Sequence, residues 1–371
     1  MLLLALLLAP PGGPTFEVRT AGKPPAVRPV PVLAADTVAV RRTDIPRPAW
    51  PRGPHLILTN GDRLVAAVVG GDSRGVWVQT AFTGGNATDR LVVPFAAVAA
   101  VWFVTPPADL PPDPNRYPWA DGPKRTDAVL LTDGDFRRGV VEAFAADGVR
   151  LAKAGLLPTA KLVAVAFDPS LSKSRPTTGR RVRAVLADGS RLTLTAAVLD
   201  ADSLRGKWTA GPDVVLPSQE IVAFDVLGGP AVYLSDLKPA RQLVEGYTGL
   251  PWPPVADRSI RGQPLRVGAD TFDKGLGTHP RTVLSYRLDG KYRRFEATVG
   301  PDPVTGRDGT ASVRILADGK DVTPAAAREL TAAVAVQLDM SGVKELTLEV
   351  GYGPFGGVRA DVNWGDARLV E

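Results

Sequence analysis

From His55 onward, short apolar runs alternate with tight-turn signals, and one phrase returns three times. Leu56-Ile57-Leu58-Thr59-Asn60-Gly61-Asp62 is echoed by Val129-Leu130-Leu131-Thr132-Asp133-Gly134-Asp135 and by Val185-Leu186-Ala187-Asp188-Gly189-Ser190. An Asn-Gly or Asp-Gly pair suits a type I′ turn with positive φ at both central positions, so each copy is predicted to open with a β-hairpin. The copies also close alike. Val93-Pro94, Leu157-Pro158 and Leu216-Pro217 each lead, through a one-turn connector, into a closing strand that begins near Val98, Leu162 and Ile221. That grammar is the grammar of a small SH3- or Sm-like barrel, a likeness of fold alone. The copies are irregularly spaced, which argues for duplicated small domains over a solenoid of fixed period.

The predicted β units span 55–105, 125–170 and 180–230. Ahead of them, 14–54 is rich in Pro and Arg but holds strand-like runs at Thr15 to Arg19 and Thr37 to Val40, which supply edge strands or a partly ordered arm. The proline-rich stretch from Thr105 to Lys124 reads as an extended spacer. The first ten residues, Met1 to Pro10, form an apolar run as long as a signal-peptide core and short of the ~20 residues of a spanning helix. With no Lys or Arg ahead of it, the run is either a signal peptide (1–13) with its true start upstream or an apolar tail. The signal reading implies a secreted or cell-envelope protein. No other segment is apolar for long enough to span a membrane.

Composition narrows the function classes. The net charge of +5 comes from interleaved signs without a basic block, so no nucleic-acid partner is expected. With no cysteine there is no disulfide, thiolate metal site or Cys nucleophile, and two histidines, His55 and His279, are too few for a His-based cluster. Asp62, Asp133, Asp135 and Asp188 sit in turn contexts that favour Asp for backbone reasons. Gly-x-Ser-x-Gly, phosphate-loop and His-Glu-x-x-His motifs are missing, and no catalytic residue is assigned.

From Tyr233 the vocabulary changes. Phe272-Asp273-Lys274-Gly275-Leu276-Gly277-Thr278-His279, Leu284-Ser285-Tyr286, Ala311-Ser312-Val313 and the terminal Asp361-Val362-Asn363-Trp364-Gly365-Asp366-Ala367 form an ordered set. The set resembles the NPCBM family of carbohydrate-binding modules, which occur attached to glycoside hydrolases and to exported bacterial proteins. The resemblance covers 232–371 and implies a galactose-binding-like jelly-roll sandwich. The residues agree: Arg294 to Val299, Ser312 to Leu316, Val334 to Asp339 and Leu346 to Val350 alternate apolar and polar, and Asp289-Gly290 and Asp318-Gly319 are hairpin signals. The expected fold class is all-β, with the sandwich preceded by two or three small barrels.

A sugar needs a flat aromatic face for its ring and a few fixed polar groups for its hydroxyls. Trp364, flanked by Asp361 and Asn363, and His279, behind a Gly-rich loop with Lys274 and Thr278, are the candidate ligand-binding residues, with Tyr352 in a Gly-rich loop that is either a lid or a turn. Each has a structural alternative: Trp364 as a core side chain with its indole N–H satisfied internally, His279 as a loop tether, Lys274 as a surface snorkel. The chain departs from the family pattern at Pro280, at Asn363 and at the prolines flanking Asp302. Calcium, known in related sandwiches, would draw oxygen ligands from Asp302 and Asp308; no other cofactor is expected. The expected partner is a glycan or polysaccharide, with a protein partner for the β units. The alternative is an exported scaffold whose module keeps only its fold, a reading that requires Trp364 to be buried.

Overall fold

The computed structural model describes residues 14–51, 53–83, 89–107, 113–114, 117–121, 125–170, 177–246, 251–304, 310–354, 356–357 and 359–371; the apolar start at 1–13 and Asp308 lie outside these. Apart from 3-10 turns and one short helix, Ala325–Arg328, the ordered elements among them are strands.

The three repeated phrases fold identically. Gly61, Gly134 and Gly189 have φ of 86°, 86° and 91°, whereas Asn60, Asp133 and Asp188 stay at negative φ. The N–H of each glycine donates to the carbonyl three residues back, on Leu58, Leu131 and Leu186. The side-chain oxygen of Asn60, Asp133 and Asp188 accepts from the backbone N–H two residues on, at 2.9, 3.0 and 2.7 Å. These are type I turns closed by a left-handed glycine, not the type I′ turns expected, because the Asx side chain satisfies the next amide only when its own φ stays negative. Type I′ geometry does occur at Asp318-Gly319, where both residues have positive φ and Ala317 pairs with Lys320. The closing grammar holds: 3-10 turns Phe95–Ala97, Thr159–Lys161 and Ser218–Glu220 lead into strands Val98–Trp102, Leu162–Ala166 and Ile221–Leu227.

Each unit alone is too small to bury a sufficient core, and the units share edges. The closing strands of the first two pair antiparallel, Val101 against Val165. The second strands of the first and third units meet at Arg63 and Arg191. The closing strand of the third pairs with Thr37–Arg42 of the arm, Phe224 against Val40. One 14-stranded sheet results among the described residues. Asp62 locks the first unit to the third: its fully buried carboxylate accepts from the Thr193 amide and hydroxyl (2.8 and 2.7 Å) and from Trp208 Nε1 (2.8 Å).

The C-terminal part is an antiparallel sandwich of the galactose-binding-like kind. One sheet runs Val255–Ala256, Gly275–Thr278, Val362–Val370, Arg294–Pro301, Val334–Asp339; the other runs Arg241–Val244, Thr282–Arg287, Glu345–Tyr352, Ala311–Ala317. Leu276, Tyr286, Phe295, Ile315, Leu348 and Trp364 are among the buried side chains between them.

Buried ion pairs join this sandwich to the units before it. Arg47 of the arm bonds Asp225 of the third unit and sits 3.2 Å from Asp366 and 3.5 Å from Asp273 of the sandwich. Burial opposes its charge, but Asp225, Asp366 and Asp273 outweigh that and hold its pKa well above the usual guanidinium value. Burial also presses Asp273 toward neutrality, yet Arg191, Arg47 and Arg183 keep it well below the usual carboxylate range. Trp50 Nε1 donates to Asp273 at 3.0 Å. Asp366 goes the other way: burial and the neighbouring Asp225 push its carboxyl up.

A second cluster centres on Glu296, which accepts from Arg368 Nε and Nη2 (3.0 and 2.9 Å) and Arg294 Nε (2.6 Å) and lies 3.3 Å from Arg19 of the arm. Burial alone would raise the Glu296 carboxyl; Arg368, Arg19 and Arg294 hold it down at about 2. A depressed carboxylate adds stability that is fully present above its unfolded value near ~4.3 and is lost as pH falls through its folded value. Glu296→Gln is therefore expected to lower stability at neutral pH by ~3 kcal/mol. Denaturant titrations of both proteins should show that gap closing between about pH 5 and about pH 2. A gap that ignores pH would mean the carboxylate charge is not its source.

Candidate functional site

The strand Gly275–Thr278 runs beside Val362–Val370 with Gly275 opposite Gly365, Leu276 opposite Trp364 and Thr278 opposite Val362. It is a strand and not the ligand-facing loop expected. Its glycines serve packing: a Cβ at Gly277 would lie 2.4 Å from Arg258 O and from Ile260 N, and one at Gly275 would lie 2.0 Å from Trp364 O. They let the 257–260 segment press on the strand, which ends by projecting His279 at one end of the sandwich.

His279 is joined there by a residue that the sequence reading passed over. The ring of Trp252, 41% exposed, stacks on the His279 imidazole with centroids 5.3 Å apart and planes 27° apart. His279 Nδ1 lies 2.6 Å from Asp361 Oδ1. The same carboxylate holds Arg261, whose Nε is 3.4 Å from Asp361 Oδ2 and whose guanidinium lies 5.6 Å from the Trp252 centroid. One buried carboxylate thus fixes both a histidine and an arginine against an exposed indole. Because a carboxylate accepts, Nδ1 is the donor, and no described residue bonds Nε2. Arg281, two residues beyond His279, sits 5.9 Å from the ring of Tyr352, which places half-exposed Tyr352 at the border of this same end.

The remaining candidates go elsewhere. Trp364 is fully buried, with Nε1 donating to Thr278 Oγ1 at 3.2 Å while the Thr278 hydroxyl donates to Val362 O at 2.9 Å. It presents no face to a ligand, because in this strand register it points into the core between the sheets. Asn363, also fully buried, donates to Arg266 O at 2.9 Å. Lys274 stands at the opposite end of its strand, ~16 Å away by strand rise, with Nζ 2.5 Å from Asp236 and 2.7 Å from Asp257. It lines a wider cleft of about 800 Å³ between the β units and the sandwich and does not reach His279. Among the described residues no group of three or more His, Cys, Asp or Glu has a metal-holding arrangement, and Asp308 lies outside them. The signal for Trp252 was its setting, Pro251-Trp252-Pro253-Pro254: an indole between prolines belongs to no central strand and is free to stand at a surface.

Residues 230–370 match the family described as the NPCBM/NEW2 domain. A Renibacterium salmoninarum protein named "Putative endo-alpha-N-acetylgalactosaminidase" is 26% identical over 127 residues, 32% of this chain and 8% of that protein's length. The CBM51 structure from Clostridium perfringens GH95 in complex with methyl-galactose is 26% identical and covers 38% of this chain and 99% of its own, with a TM-score of 0.34. The tandem CBM51 modules of a family 98 glycoside hydrolase from Streptococcus pneumoniae SP3-BS71 are 13% identical and cover 85% of this chain and 88% of their own, with a TM-score of 0.33.

The two tryptophans make opposite demands on stability. Trp364→Ala is expected to cost ~3–5 kcal/mol by leaving a core cavity, and Trp252→Ala to stay within ~0.5 kcal/mol, as measured by urea unfolding. A large loss in the Trp252 variant would place that ring in the core instead.

Proposed function

We propose that this chain is a non-catalytic, exported glycan-binding protein whose ligand docks where Trp252, His279 and Arg261 meet. The single observation that carries the reading is the exposed indole stacked on a histidine, with Asp361 orienting both His279 and Arg261. The indole offers the flat apolar surface that a pyranose ring covers, and His279 Nε2 and the Arg261 guanidinium offer an acceptor and donors for its hydroxyls. Tyr352 and Arg281 extend the rim. The family match over 230–370 supports a carbohydrate ligand, and the named glycosidase relative supports a module of this kind serving glycan recognition.

Glycoside hydrolysis would need two carboxylates ~5–9 Å apart across a cleft. At this end Asp361 is buried beneath His279 and Arg261, bonded to the first and ion-paired with the second. Binding without bond cleavage fits that arrangement. Export rests on the apolar opening run, and no helix among the described residues is long and apolar enough to cross a membrane. The β units serve as the rigid base to which the sandwich is fixed. The complete burial of Trp364 favours the scaffold alternative, in which the module keeps only its fold; exposed Trp252 beside His279 argues against it.

The test is a glycan array probed with the full chain and with Trp252→Ala and His279→Ala. Binding should weaken about tenfold or more in each variant while the melting temperature holds. An array that is silent for the full chain would move the reading to the scaffold.

A further inference from the structure

The strand Val362–Val370 carries a bulge where the sandwich meets the arm. Its register against Arg294–Pro301 shifts between Glu296, opposite Arg368, and Thr298, opposite Gly365, so Asp366 and Ala367 share one partner position, Ala297. Asp366 takes a φ of 50° there, in the left-handed region where bulges ordinarily place glycine. An acid in such a position is strained, and the groups around it hold it there. Its amide donates to Lys274 O at 2.9 Å, and its carboxylate turns to the arm, with Oδ2 3.2 Å from Arg47 Nη1. The same guanidinium bonds Asp225 through Nη2. Asp366 Oδ1 is shielded from solvent, and no group among the described residues donates to it.

The other charges around Asp366 are more fully matched. Asp273 faces Arg191 at 3.3 Å and accepts from Trp50, Asp225 has Arg368 3.9 Å away besides Arg47, and Glu296 has Arg294 and Arg368. Around the cavity of about 40 Å³ that borders these groups, Glu17 pairs with Arg19 and Arg41 with Asp270. Tyr233 also faces the cluster; burial and the charges of Asp225 and Asp366 push its phenol well above the usual range, so it stays neutral. Asp366 has its ion pair on one oxygen only. Burial and the charge of Asp225, with a smaller push from Asp273, outweigh the pull of Arg47 and Arg368 and raise its carboxyl to about 6. A buried carboxylate oxygen that no donor meets is costly while charged, and protonation removes that cost.

We propose that the joint between arm, third unit and sandwich is a proton-operated latch, in which Asp366 takes a proton on Oδ1 in mild acid and the joint then holds most tightly. Linkage sets the direction. A carboxyl raised above its unfolded value of ~3.9 binds its proton more strongly in the folded chain, so stability is gained as pH falls through the folded value and is complete below the unfolded one. Asp273 and Glu296, held down by their arginines, oppose this only lower, because their contributions are intact above about pH 4 and fade beneath it. The two trends place the maximum near pH ~5. With Asp366 neutral, Oδ2 still accepts from Arg47, and the guanidinium charge is answered by Asp225 and Asp273. The device lies in the joint and does not depend on where a ligand docks.

Thermal unfolding of the full chain between about pH 8 and about pH 3 tests the latch. The midpoint should rise by about 3 °C or more from pH 8 to pH 5 and fall again below about pH 4. Asp366→Asn keeps the shape and cannot take the proton, so its midpoint should match or exceed the parent's at pH 8 and lose most of the rise. Hydrogen exchange at the Thr37–Arg42 amides, corrected for its intrinsic pH dependence, should slow about tenfold or more from pH 8 to pH 5 in the parent and much less in the variant. If Asp366→Asn melts early at every pH, the carboxyl carbon resonance of Asp366 in the parent carries the test, with a titration midpoint of about 6 expected. A midpoint that is flat or falling from pH 8 to pH 5, a rise left whole in the folded variant, arm amides indifferent to pH, or an Asp366 carboxyl that titrates below about pH 5 would overturn the latch.

Discussion

Arg47 is the constraint on which the architecture turns. It belongs to neither the β units nor the sandwich but to the arm between the first strands and the first repeat, and its guanidinium is withdrawn from water. A lone buried cation is strongly unfavourable, and three carboxylates crowded without a cation would repel one another. Arg47 brings Asp225, Asp273 and Asp366 together from the third unit and the sandwich, with Arg191 adding charge at Asp273 and Arg368 at Asp225. The opposite shifts of Asp273 and Asp366 show how little spare attraction there is. Asp273, faced by Arg191, Arg47 and Arg183, is held down, whereas Asp366, pressed by burial and by the charge of Asp225, gives way. Arm, third unit and sandwich therefore assemble as one body.

That assembly connects to the candidate site through a single strand. Val362–Val370 carries Asp366 and Arg368 on the side that meets the arm and Trp364 in the core, and the chain enters it from Asp361, which holds His279 and Arg261. A strand pinned by buried ion pairs at its far half cannot shift register without breaking them. The carboxylate at its entrance is thereby fixed as well. The β units contribute at a distance, by holding rigid the strand from which the site is hung.

Local rules made much of this legible. Repeated Asx-Gly pairs, prolines before closing strands and alternating runs act within a few residues, so the hairpins, the closing strands and the sandwich could be read from the chain itself. The turn type was missed because the Asx side chain decides it: the bond from Asn60 Oδ1 to the Asp62 amide holds Asn60 at negative φ, whereas Asp318, which caps Lys344 and Glu345 across the sheet, takes a positive one. The grouping of the candidate residues was legible only in part, for a related reason. His279, Asp361 and Tyr352 gather at one end, but Trp364 looks the same in sequence whether it faces core or solvent, since its neighbours alternate on both sides. Trp252 and Arg261 come from a connection between strands, where no periodicity points to a face. Arg47 with its three acids is invisible in sequence, because its partners lie 178 to 319 positions away.

Placing the exposed indole in a proline-rich connection has a physical logic of its own. A surface tryptophan on a flexible loop would lose much of its stacking energy to the ordering of that loop on binding. Pro251, Pro253 and Pro254 fix φ around Trp252 before any ligand arrives. The stack on His279 then fixes the ring plane, and the bond to Asp361 fixes the histidine. Each step removes freedom from the next group outward, beginning at a strand that buried charges already hold. Recognition at such a site draws on order established during folding, so little remains to be ordered when the ligand arrives.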